Sequence, residues 1–176
     1  MDMRPFSTTK QIAYGAMAAA LCALCLLAAG TLPTMRLAFL FLSSLFVYVL
    51  TERKCYAAGV SSFAAAAALG LLIVPNKLIL APYIGLLGHF GIVKPALVSR
   101  VNSRGVLFLL LMGYSNICTA ATALVCIKLF SIDPGALLPF SPLWLIPVAE
   151  VAIAAFIVLY GMCQRFYSER LSRHIK

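Results

Sequence analysis

Charge is what this sequence has least of. Of its 176 residues only 11% are Asp, Glu, Lys or Arg, while 63% are hydrophobic. A soluble domain carries about 25% charged and about 45–50% apolar residues, so this chain has too few polar side chains to cover a compact body in water. Acids are the scarcest: Asp2, Glu52, Asp133, Glu150 and Glu169 are the five present. A metal-dependent phosphotransferase needs a cluster of carboxylates, and these five are dispersed. Nucleotide and hydrolase signatures are also missing. There is no G-x-x-x-x-G-K-[ST], no G-x-G-x-x-G, no H-E-x-x-H and no G-x-S-x-G, which removes the P-loop, dinucleotide, zincin and serine-elbow chemistries. His89 and His174 lie far from any cysteine pair, so no metal, no cofactor and no catalysis are expected.

The six cysteines form no disulfide framework. Cys22, Cys25, Cys118 and Cys126 fall inside apolar runs, and Cys55 and Cys163 near the ends of others. Cys22 and Cys25 have redox CxxC spacing, but a mid-helix position lacks the aqueous access that thiol exchange requires.

What the chain does have is long continuous apolar runs, with a mean hydropathy of +1.01. An outer-membrane barrel strand would alternate apolar and polar over about ten residues, so these runs predict helices. Six are expected: Ile12–Leu32, Leu37–Thr51, Tyr56–Val74, Leu78–Val93, Gly105–Phe130 and Leu143–Cys163. Pro33, Glu52-Arg53-Lys54, Pro75-Asn76-Lys77, Lys94-Pro95 and the turn signal Asp133-Pro134-Gly135 separate them. Six spans of about 20 residues use roughly 120, leaving short loops and no second folded domain. The expected fold class is all-α: one polytopic membrane domain over residues 1–176, built as a six-transmembrane-helix bundle.

Basic residues set the orientation. With the N-terminus inside, eleven of the fourteen Lys and Arg face the cytoplasm, and Arg36, Lys77 and Lys128 face outward. Both termini are therefore expected in the cytoplasm, and span one, which lacks a signal-peptide cleavage site, is expected to be retained. The net charge of +9 reflects this asymmetry and attraction to anionic lipid of the bilayer; no nucleic-acid partner is expected.

Against that background the exceptions become candidate solute-binding residues. Glu150 sits about 10 Å below the outer surface at 1.5 Å per residue, and an ionisable group at that depth is a functional-site candidate. Pro147, one turn earlier, is expected to kink its helix. Ser115, Thr119, Thr122 and Cys126 share a helical face at i, i+4, i+7 and i+11, with Asn116 beside it. The stripe either hydrogen-bonds between helices or faces a cavity with Glu150. Arg36 and Lys77 oppose the positive-inside trend, and Lys77 follows Asn76. Tyr83, Tyr114 and Trp144 are available to stack on a solute, and aromatic belts also place Trp144 at the interface. His89 reads either as a gate or as a packing histidine.

Span one adds a smooth face: Gly15, Ala19 and Ala23, with Ala16 and Ala20 alongside, repeat at four-residue spacing. In lipid such small-xxx-small faces permit close helix approach, within the bundle or onto another subunit.

The size, six spans, cytoplasmic ends and the start Lys10-Gln11-Ile12-Ala13-Tyr14-Gly15-Ala16-Met17-Ala18-Ala19-Ala20 resemble the substrate-binding S components of energy-coupling-factor (ECF) vitamin transporters. In that family an Ala-x-x-x-Ala motif on the first helix contacts a transmembrane coupling subunit, and Ala16 and Ala20 match it. The resemblance implies a small solute, a vitamin or related micronutrient, bound near the outer surface. It also implies a coupling subunit and two ATPases on separate chains, in a bacterial cytoplasmic membrane. It carries over no vitamin-specific residues; it places Arg36, Asn76, Lys77, Asn116, Trp144 and Glu150 in the expected region. Two other classes stay open: a non-transporting scaffold similar to rod-shape-determining proteins, and an intramembrane enzyme or small independent carrier centred on Glu150 or His89.

Overall fold

In a bilayer the backbone finds no water to bond to, so each segment must satisfy its own N–H and C=O groups. The computed structural model, which describes residues 8–130, 142–167 and 169, does this with helices throughout and no strand among the described residues. Helix α1 spans Thr8–Thr31. A 3-10 turn at Pro33–Met35 leads into α2, Arg36–Glu52, and α3 covers Tyr56–Ile73. The fourth span is composite: a 3-10 turn at Lys77–Leu80, a π turn at Tyr83–Leu87, and α4 at Gly88–Val98. Helix α5 is Arg104–Phe130 and α6 is Pro142–Phe166. The Asp133-Pro134-Gly135 turn lies outside the described residues.

Six segments are long and apolar enough to cross a membrane, making this a multi-pass membrane protein. The two runs that looked short in the sequence gain length. Pro33–Glu52 spans 20 residues because the 3-10 turn adds to α2, and Lys77–Val98 spans 22. At 1.5 Å per residue, 20 residues reach about 30 Å, the thickness of the hydrocarbon core.

Span four does not stop at Lys94-Pro95 as the sequence suggested; Pro95 lies inside α4. Proline has no N–H to bond the carbonyl four residues back, which here belongs to Gly91. Thr51 Oγ1 of α2 supplies the missing donor at 2.7 Å from the Gly91 oxygen. The lost intrahelical bond thus becomes a bond between helices. The α6 helix likewise runs unbroken through Pro147.

Helices α1 to α4 form the tighter part of the bundle, with α1 packed on both α2 and α3, and α2 packed on α4. Its core joins Cys22, Leu26 and Ala29 to Leu40, Val47, Ala66, Leu80 and Tyr83. Small residues and hydroxyls bring the helices close. Ser62 Oγ donates to the Gly15 carbonyl at 2.8 Å, and a Cβ on Gly91 would lie 2.8 Å from the Ser44 oxygen. Helix α6 attaches through aromatic rings. Tyr160, fully buried, stands edge-on to Phe90 and Phe41 at 5.1 and 5.6 Å, and its hydroxyl donates to the Ser44 carbonyl at 3.2 Å. Helix α5 is the most exposed, with Leu111 and Ser115 its buried side chains.

Tyr160 therefore fixes α6 chiefly by ring packing. Tyr160→Phe is expected to cost about 1 kcal/mol, the net value of its hydrogen bond, and Tyr160→Ala about 3–5 kcal/mol. Thermal unfolding in detergent checks the ratio.

Candidate functional site

The densest group of polar side chains that the helices do not satisfy lies midway along span four, where it meets α5. Its geometry starts at Pro82. The ring precedes the π turn Tyr83–Leu87, in which the Gly88 N–H reaches back five residues to the Tyr83 carbonyl. The widened turn presents Gly85 to α5 at such close range that a Cβ there would sit 1.7 Å from Thr122 Oγ1. Only glycine permits this approach. Interruptions of this kind within helices often mark functional sites.

One turn on, His89 faces α5. Its Nε2 lies 3.7 Å from Cys118 Sγ, and its ring is 5.6 Å from Tyr114 and 6.0 Å from Phe63, stacked on the latter. Thr122 Oγ1 donates to the Cys118 carbonyl at 2.7 Å. Three buried polar atoms have no hydrogen-bond partner: Ser115 Oγ, His89 Nδ1 and Tyr83 OH. Tyr83 faces the Cys22 thiol, and His89 Nδ1 the Leu86 backbone, both outside bonding geometry. A buried group left unmatched costs about 1–3 kcal/mol, so this seam is chemically disposed to accept the hydrogen bonds of a guest. It offers hydroxyl, imidazole and thiol groups. No cluster of three metal-ligating side chains occurs among the described residues.

The residues singled out near the outer end are not gathered in one place. Arg36 is exposed at the start of α2. Asn76 Oδ1 accepts from the Leu78 N–H at 3.1 Å, capping the 3-10 turn. Lys77 Nζ donates to the carbonyls of Leu71 and Val74, the latter at 2.8 Å, closing the end of α3. Asn116 and Glu150 are half-buried. The Trp144 side chain lies outside the described residues. No hydrogen bond, ion pair or ring contact joins any two of these residues among those described.

The polar stripe of α5 turns differently from the cavity that would pair it with Glu150. Its inward line is Leu111, Ser115, Cys118 and Thr122, and Thr119 is exposed. Ser115 and Thr122 lie on the side of α5 that meets the π turn. What the sequence hid was Gly85: only the fold reveals that it receives Thr122. Cys118 also gave no signal beyond its place in an apolar run.

The smooth face of α1 divides in two. Gly15 and Ala19 are buried against α3, Ala23 is half-buried, and Ala16 and Ala20 are exposed. Beside them runs a groove of about 480 Å³ between α1 and α3, lined by Gly15, Ala16 and Ala19 on one side and Ala57, Ser61 and Ala65 on the other. The contribution of α3 was not anticipated, although its alanine run is plain in the sequence.

No family model, no curated protein and no solved structure matches the chain.

If Gly85 sets the seam, Gly85→Ala should lower the thermal midpoint by pushing α5 outward. Thr122→Ala should restore part of the loss, giving a coupling of about 0.5–3 kcal/mol in a double-mutant cycle.

Proposed function

We propose that this chain is the substrate-binding S component of an ECF-type importer, capturing a small solute, a vitamin or related micronutrient, at the outer face of a bacterial cytoplasmic membrane. In this reading a transmembrane coupling subunit and two ATPase subunits on separate chains supply the energy, consistent with the absence of any nucleotide-binding motif in the sequence. The observation that carries it is the exposed pair Ala16 and Ala20. They flank a groove floored by small residues, in the half of α1 that the charge asymmetry assigns to the cytoplasm. A helix laid across two alanine-rich neighbours gains contact area without displacing any side chain, which is how helices associate when lipid supplies no hydrophobic force. Gly15 and Ala19 hold α1 to α3 and leave the other two alanines for a partner.

The solute would enter from the end carrying Arg36, Asn76 and Lys77, with Glu150, Asn116 and the unmatched groups of the α4–α5 seam below. Trp144 belongs to the same end by sequence position. Glu150 has no partner among the described residues, which leaves its carboxyl available to a guest.

Replacing both Ala16 and Ala20 with Leu should abolish co-purification of the coupling and ATPase subunits. Because both positions are exposed, the thermal midpoint of the isolated chain should hold. An intact complex carrying both leucines overturns the reading. Separately, Glu150→Gln should reduce the amount of small molecule retained by the purified protein in mass spectrometry, again without loss of stability.

A further inference from the structure

One charged side chain is buried where the sequence placed a surface residue. Lys94, read as the polar end of span four, lies within α4 and is only 7% exposed. Its Nζ stands 5.2 Å from the centre of the Tyr160 ring and beside Gly161, where a Cβ would approach it to 3.3 Å. Among the described residues the ammonium has no hydrogen-bond acceptor and no carboxylate.

A ring face compensates only part of what an ammonium loses on leaving water. The nearest charge that acts on it is the guanidinium of Arg165, which repels it. None of the acids offers relief. Glu52 is engaged with Tyr48 and Arg53. Glu169 is exposed. Glu150 lies ten residues before Tyr160 on α6, about 15 Å along the helix. Asp2 and Asp133 fall outside the described residues. Two cations thus converge at the same end of α4 and α6, which is the end the charge asymmetry assigns to the cytoplasm. Gly161 keeps the space beside Nζ clear of a side chain.

We propose that Lys94 and Arg165 form a binding site for a phosphate-type oxyanion at the cytoplasmic edge of the membrane. The group is carried either by the headgroup of an anionic phospholipid or by a soluble phosphate. Lys94 supplies a point charge held under Tyr160, and Arg165, exposed on α6, supplies planar paired donors. The site is independent of the transport reading and lies apart from the α4–α5 seam.

The test uses the full chain in nanodiscs of phosphatidylcholine, with or without phosphatidylglycerol, and native mass spectrometry together with thermal midpoints. The wild type should retain phosphatidylglycerol over phosphatidylcholine at least about tenfold more strongly than Lys94→Met, the scale of a charged hydrogen bond. Arg100→Gln combined with Arg104→Gln, which removes cytoplasmic charge elsewhere, should keep the wild-type preference. Inorganic phosphate added to phosphatidylcholine discs separates the sources. If it stabilises the wild type and not Lys94→Met, with no lipid preference, the ligand is soluble. Equal lipid retention and equal phosphate response in wild type and Lys94→Met overturn the proposal, as does a control that loses preference as fully as Lys94→Met. Should Lys94→Met not fold, Arg165→Gln serves instead. It should weaken the preference severalfold, and an unchanged preference overturns the site.

Discussion

The hydrogen bond from Thr51 to the Gly91 carbonyl governs much of this bundle. Pro95 leaves that carbonyl without its intrahelical donor, and a free carbonyl in hydrocarbon is costly. Thr51 satisfies it only if α2 and α4 lie close, and Gly91 makes that closeness possible because it has no Cβ to meet the α2 backbone. With the two helices in register, the Ser44 carbonyl receives the Tyr160 hydroxyl, and α6 is seated. Lys94, one turn beyond the glycine, is then carried beneath the Tyr160 ring. A proline, a glycine and a threonine thereby determine where a lysine ends up.

The two ends of the chain differ in how firmly they are held. Helices α1 to α4 interlock through glycines, alanines and serines whose hydroxyls bond across to neighbouring carbonyls or close onto their own helix. Helix α5 meets the rest mainly at the π turn, and α6 mainly through its aromatic residues. Lightly held elements are the ones that can move with little cost, and the unmatched polar atoms lie along the edge of α5. A chain that must admit a solute and dock on a partner would place its rigid face toward the partner and its loose face toward the guest. The exposed alanines on α1 and the seam at α5 are arranged in that way.

Much of the architecture was legible from hydropathy alone. Six apolar runs interrupted by proline, glycine and charge gave six helices, since in lipid no other open structure satisfies the backbone. The prolines were harder to interpret. Pro95 looked like a terminator and proved internal, because the donor that compensates for it is 44 residues away on α2. The α1 stripe was correctly read as small, yet which alanines face inward depends on where α3 lies. Asn76 and Lys77 attracted notice for their charge and polarity, and in the fold they cap turns.

Composition therefore settled the solvent, the element type and the number of crossings, because each follows from local hydrophobicity and from the backbone's own need for hydrogen bonds. Tertiary structure decided which polar groups are satisfied. Glycine and hydroxyl residues read alike wherever they occur in an apolar run; only a neighbouring helix reveals whether Gly85 receives Thr122 or Gly91 receives Tyr160. Ser115 and His89 emerge as unmatched, and Lys94 as buried, for the same physical reason. Burial and partnership are properties of two helices together, and neither can be written into one of them.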